Sequence, residues 1–188
     1  FLNCYDLSRV VATAPTFAQL HDVLWPEYAK WHTHMPQSLR SKWTISGNHI
    51  RHKATKTQAF DKTWFAVART SNKPENLQGF HGENIMIQGD EGSAITPQVF
   101  EVIEGALSEA GEKGKVAKLM LMGNPNFTAG EFYSAFYRNK SLYGRFTLTG
   151  DTKLLEKLGV EQGGVHSEHG RVFFAPRVSA KYRKVMAT

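Results

Sequence analysis

Ile85-Met86-Ile87-Gln88-Gly89-Asp90-Glu91 is a short apolar run that stops at two adjacent carboxylates, with Gly92-Ser93-Ala94 next. Such a run reads as a buried strand of a parallel sheet. Acidic residues at its C-terminal end lie where open α/β sheets place their chemistry. One carboxylate can hold a magnesium ion, and its neighbour can polarise a water. A strand that ends in two carboxylates is also common as a solvated turn, so the pair needs support from the rest of the chain.

The chain has 188 residues, enough for one domain with a proper core. Its 41% hydrophobic and 21% charged residues are ordinary for a globular protein. A formal charge of +6 and a pI near 9.4 fit a nucleic-acid partner, and fit a merely basic soluble protein equally well. Basic residues gather mildly at Arg40–Lys42, Arg51–Lys56 and Lys181–Lys184. A single cysteine, Cys4, excludes an internal disulfide framework and fits a reducing compartment. With no base beside it in sequence, Cys4 reads as a small buried hydrophobe. No apolar run approaches a membrane span. Phe1–Asp6 has no signal-peptide pattern and no initiator Met, so the chain is expected to begin inside a larger protein.

Strand and helix signals alternate. Arg9–Thr13 predicts a short buried strand ended by Ala14-Pro15-Thr16. Thr16-Phe17-Ala18-Gln19 has the form of a capping box and predicts a helix start. Phe17, Leu20, Leu24, Tyr28 and Trp31 recur at helical spacing as its buried face, with Pro26 as a kink or break. Residues 32–42 read as a loop or weak helix. Trp43–Ile45 and His49–His52 flank Ser46-Gly47-Asn48 as a hairpin. Thr63–Arg69 is a further strand, and residues 70–83 a loop. Thr96-Pro97 opens a helix with the stripe Val99, Val102, Ile103, Ala106 and Ala110. Gly111–Lys115 reads as a surface turn. Val116–Met122 reads as a buried strand, ended by Gly123-Asn124-Pro125-Asn126. Thr128–Glu131 is a second capping box, with a helix to about Tyr137. Gly144–Thr149 predicts a strand and Asp151–Leu158 a short helix. Gly163-Gly164 with two histidines suggests a loop, and Arg171–Phe174 a strand. The alternation argues for an α/β fold, a three-layer sandwich with a mainly parallel sheet.

Asn124 closes a second strand, so in neighbouring strands it and Glu91 would share one edge of the sheet. Four stretches then come in order: Val-Val-Ala-Thr-Ala-Pro-Thr-Phe-Ala-Gln-Leu (10–20), Leu-Gln-Gly-Phe-His-Gly (77–82), Ile-Met-Ile-Gln-Gly-Asp-Glu-Gly (85–92) and Met-Gly-Asn-Pro-Asn (122–126) with Gly-Glu-Phe-Tyr (130–133). Together they resemble the ATPase domain of the large terminase subunit of tailed bacteriophages, over roughly residues 1–150. The resemblance implies an additional-strand, RecA-like P-loop NTPase core. It implies a motor that couples ATP hydrolysis to translocation of double-stranded DNA into a capsid. The partners it implies are double-stranded DNA, the portal protein and the small terminase subunit, in a homo-oligomeric ring within the host cytoplasm. By the same resemblance Asp90 would hold Mg²⁺ through water and Glu91 would orient or deprotonate the attacking water. Asn124 would sense the γ-phosphate of ATP and relay hydrolysis to motion. Phosphoryl transfer relies on positioning and charge stabilisation, which suits so sparse a set.

Arg69 is the candidate arginine finger, with a surface arginine as the simpler reading. Gln19 is the candidate nucleotide contact, although the capping box is its first role. His166 and His169 stand three apart with no Cys or third ligand nearby, which argues against zinc. The sequence departs from the family in two ways. It holds no Gly-x-x-x-x-Gly-Lys-Ser/Thr, so the chain is expected to be truncated N-terminally and to bind ATP poorly or not at all. It also has no aspartate after Asp151, which leaves no room for the family's nuclease metal site. Residues 151–188 are expected to be an extension or linker. The competing readings are a superfamily 2 helicase-like translocase fragment and a non-catalytic nucleic-acid-binding or assembly module.

Overall fold

The computed structural model describes residues 1–53, 62–108, 114–149, 157, 164–167 and 170–174. It divides into two compact units, Phe1–Phe132 and Tyr133–Thr188. In the first, the β-branched run Arg9–Ala14 forms β1 and is followed by a π-helix, Gln19–Leu24, then α1 (Trp25–His34) and α2 (Gln37–Arg40). The chain continues through β2 (Trp43–Ser46), β3 (His49–His52), β4 (Phe65–Thr70), β5 (Asn84–Gly89), α3 (Pro97–Ser108) and β6 (Val116–Leu121). The six strands form one sheet in the order β2-β3-β4-β1-β5-β6. β4, β1, β5 and β6 run parallel, and β2 and β3 add antiparallel pairs at one side.

Alternate residues of the strands point to opposite faces. Val11, Val67 and Ile87 face one way and meet Val99, Phe100 and Ile103 of α3. Burying each large apolar side chain of this kind contributes about 1.5–3 kcal/mol. Ala12, Ala14 and Ala68 face the other way, where Leu20 and Trp25 cover them. Helices on both faces make this unit the expected three-layer α/β arrangement.

The box predicted at Thr16 is present. Thr16 N–H donates to Gln19 Oε1 at 3.2 Å, and Gln19 N–H donates to Thr16 Oγ1 at 3.2 Å. The predicted apolar face is wrong at both ends: Phe17 is 66% and Trp31 62% exposed, while Trp25 is buried. A π turn closes on residue i+5, as in the bond from Trp25 N–H to the Leu20 carbonyl, so it holds one residue more than the period assumes. Pro26 falls at the first turn of α1, where its missing N–H is tolerated. Residues 32–42 hold the end of α1 and the short α2. The hairpin stands as predicted, with Gly47 at φ +49°.

Two further expectations fail. Val116–Met122 is not fully buried. Among the described strands β6 pairs with β5 alone, Lys118 is exposed and Met120 is 44% exposed. Cys4 is exposed, because it lies in the turn closed by Cys4 N–H to the Phe1 carbonyl rather than in packed structure. Ala110, most of Gly111–Lys115 and, apart from Lys157, Asp151–Leu158 lie outside the described residues.

α4 (Glu131–Phe136) begins at the end of the first unit. The second unit contains β7 (Phe146–Thr149), β8 (Gly164–Ser167) and β9 (Gly170–Phe174), in the order β7-β9-β8. β8 replaces the loop expected around Gly164 and His166. Its hydrogen bonds come from antiparallel pairing with β9, which a glycine-led segment does not advertise. His169 lies outside the described residues. No helix among the described residues is long and apolar enough to cross a membrane.

Candidate functional site

The parallel registers decide which strand ends meet. Thr13 of β1 pairs with Gly89 of β5, and Gly89 with Leu121 of β6. All three strands therefore stop at the same edge. Just beyond it, Asp90 N–H donates to the Thr13 carbonyl at 2.8 Å and Met122 N–H to the Gly89 carbonyl at 2.8 Å. Gly92 N–H donates to the Met122 carbonyl at 2.7 Å. The acidic pair is thereby fastened to β1 on one side and to the Gly-Asn-Pro-Asn turn on the other.

Glu91 takes the left-handed conformation, φ +53° and ψ +45°. For a residue with a Cβ this costs on the order of 1–3 kcal/mol and persists only where surrounding bonds enforce it. The bonds on either side do so, with Ala94 N–H donating to the Glu91 carbonyl at 2.8 Å. Glu91 N–H also donates to Asp90 Oδ1 at 3.1 Å. Both carboxylates are half-buried. Neutral glycines permit the approach. A Cβ on Gly123 would stand 2.9 Å from Gly92 N and 3.3 Å from Glu91 C, and one on Gly92 would stand 2.8 Å from Phe132 Cδ2.

Asn124 is exposed on the turn, and its carbonyl accepts from Asn126 N–H at 2.8 Å. Asp90, Glu91 and the Asn124 turn are thus brought to one edge. Arg69 reaches the same edge by register, opposite Thr13. Its guanidinium, however, lies over the Phe80 ring at 5.7 Å and donates to the Ala68 carbonyl at 2.9 Å. Gln19 Oε1 is occupied by Thr16 N–H and by Thr16 Oγ1 at 3.0 Å, a helix-capping engagement.

Three residues that the sequence reading did not single out for chemistry belong here. Thr13 is fully buried, and its Oγ1 has no hydrogen-bond partner among the described residues; nor do Ser93 Oγ and Tyr28 Oη. Tyr28 on α1 lies beside Gln88 and Asp90. Burial pushes its phenol up to about 12, Gln88 opposes the shift, and the charge of Asp90 adds to it. Gln88 is near enough to act on the hydroxyl, yet the pair does not form a hydrogen bond of ordinary geometry. A hydroxyl inside the otherwise apolar β1 was the one visible sign of Thr13. Tyr28 had none, since it matched an apolar stripe.

Among the described residues no three His, Cys, Asp or Glu side chains group as a metal site. Magnesium takes one or two carboxylates and completes its shell with water and phosphate oxygens. The adjacent, half-buried carboxylates of Asp90 and Glu91 are of the kind that description needs.

No protein-family model matches the chain. No curated protein matches it either. Among solved structures it is similar to a point mutant of the ATPase domain of the large terminase of Thermus phage P74-26. The TM-score is 0.46 and the identity 17%, over 89% of this chain and 64% of that one. A second structure of the same phage's terminase ATPase domain gives a TM-score of 0.43 and 16% identity, over 69% of this chain and 52% of that one. The chain thus spans less than two thirds of the length of either.

Proposed function

We propose that this chain is part of a nucleotide-driven motor of the large-terminase type, coupling ATP hydrolysis to movement of double-stranded DNA. The observation that carries the reading is the joining of two of its ordered motifs. The acidic pair and the Met-Gly-Asn-Pro-Asn turn are tied backbone to backbone through Gly92 and Met122. On this reading Asp90 holds magnesium through water, and magnesium bound with ATP supplies charge neutralisation at the transferring phosphoryl group. Glu91 orients the attacking water or takes its proton. Asn124 responds to the γ-phosphate, and the Gly92–Met122 bond carries that response from the turn to the acidic pair. Arg69, held over the Phe80 ring, has a structural role first on this reading and supplies the finger only if it leaves that ring. Gln19 serves as a cap first and a nucleotide contact only if Thr16 releases it.

The sequence contains no phosphate loop, so the 188 residues alone bind nucleotide weakly on this reading. Calorimetry with Mg-ATP tests it. Micromolar affinity in this chain would overturn the assignment of the phosphate cradle to residues beyond it. In a chain extended N-terminally through that loop, Glu91→Ala abolishes hydrolysis; undiminished turnover would remove Glu91 from the mechanism. Portal and small-subunit partners and a ring assembly belong to the same proposal, as do Mg²⁺ and ATP.

A further inference from the structure

Between Glu27 and Asp61 there is no acidic residue. Residues 28–60 carry six lysines and arginines, and the remaining 155 residues hold seventeen basic and seventeen acidic. The whole net charge of +6 therefore resides in this one segment. Its described part is the body of α1, α2 and the β2–β3 hairpin at one side of the sheet. Lys30 is paired with Glu27 at 3.1 Å and is spent locally.

Of the other described cations, Lys42, Arg51 and Lys53 lie at the open end of the hairpin. Lys53 N–H donates to the Lys42 carbonyl at 2.8 Å, which sets two exposed lysines side by side. Arg51 is cross-strand from Thr44 and from Phe65 at the start of β4. Arg40 donates to the Thr33 carbonyl at 3.1 Å and to Gln37 Oε1. Both acceptors are neutral, so its charge is undiminished. Phe65 begins β4 beside Arg9 at the start of β1, and Asp90 bonds to Thr13 near the end of β1, so this end lies across the sheet from the acidic pair.

From this placement we infer that the open end of the β2–β3 hairpin, with Lys42 and Lys53 at its centre, binds the phosphate backbone of duplex nucleic acid. A protein partner would need an apolar centre. Among the described residues of the segment Trp31, on α1, is the one exposed large apolar side chain, and on the hairpin itself none is; Ser38, Ser41, Lys42, Ser46 and Lys53 are exposed. Cations interleaved with hydroxyls are the donors that phosphate oxygens take. A single-stranded partner would need rings presented for stacking. Trp43, Trp64 and His52 are instead packed on one another, with ring centroids 4.2–5.5 Å apart. The inference rests on the duplex partner of the proposed function but uses no nucleotide chemistry, so Mg-ATP calorimetry and duplex binding test the two separately.

The test is fluorescence anisotropy with a duplex of about two helical turns across a salt series. Lys42→Gln with Lys53→Gln is compared with Lys73→Gln with Lys118→Gln, which removes equal charge from exposed sites elsewhere. The hairpin pair is expected to weaken binding on the order of tenfold or more near 0.1 M salt and to reduce the salt slope by about two. The control pair is expected to leave both nearly unchanged, with unfolding curves of the two variants alike. Equal weakening by the two pairs would overturn the inference, as would tighter binding of the single strand or equal binding of a polyglutamate of the same charge.

Discussion

The backbone amide of Gly92 donates a 2.7 Å hydrogen bond to the carbonyl of Met122, and Gly123 follows with no room for a side chain. The atoms that a Cβ at 123 would strike are backbone atoms of Glu91 and Gly92, which cannot swing aside. At Gly89 the Cβ would meet Ile95 Cδ1 and Leu121 Cδ2 at 2.9 Å, both ends of flexible side chains. Gly123→Ala is therefore expected to cost about 2–3 kcal/mol and Gly89→Ala about 1 kcal/mol. Urea unfolding of the two variants checks the order.

Glu91 is held in a conformation that glycine adopts freely. Glu91→Gly is expected to stabilise the protein by up to about 1 kcal/mol, raising Tm by roughly 2–4 °C, while removing the carboxylate. Thermal unfolding reads the gain. A lowered Tm would mean that the Glu91 side chain stabilises the edge by more than its backbone strains it.

The Tyr28 phenol is pushed up to about 12 from an ordinary value of 10.0, with burial the main cause. Between those values the folded state keeps a proton that the unfolded chain has lost. The stabilisation is full below pH 10 and is lost as pH rises through about 12. It amounts to about 2–3 kcal/mol at most. Tyr28→Phe is expected to flatten the alkaline fall in stability between pH 10 and about 12, measured by urea unfolding at several pH values.

His49 shifts the other way. Burial lowers it first, and the positive charges of Arg51 and Arg69 lower it further. The unfolded chain then binds protons before the folded one does, so this contribution is present above pH 6.5 and is lost as pH falls. His49→Gln is expected to shift the acid limb of the stability profile to lower pH.

Thr16→Ala removes the Oγ1 that accepts from Gln19 N–H and donates to Gln19 Oε1, leaves the backbone amide of residue 16 bonded to Gln19, and is expected to cost about 1 kcal/mol. That box was fully legible, because a capping box is written in four adjacent residues. The layering and the parallel core were legible too, since apolar runs such as Ile85–Ile87 and stripes such as Val99 with Ile103 report burial directly. β6 was misjudged because Val116–Met122 is apolar enough for a central strand, and composition does not say how many neighbours a strand has. At the site, the residue types of 90–91 and 123–126 announced a polar strand edge. Their joining did not show, because it rests on the Gly92–Met122 backbone bond, which no side chain encodes. The left-handed Glu91 was equally silent, since glutamate is not a residue that marks that conformation.

The π turn at Gln19–Leu24 absorbs one extra residue just ahead of α1. Five residues at π spacing and four at α spacing both complete about one turn, so deleting one residue there would let the turn relax to α geometry with the phase of the following helix nearly unchanged. Tyr28 would keep its place beside Gln88 and Asp90. The π turn is thus the point where this helix can lose one residue without bringing a different side chain to the acidic pair.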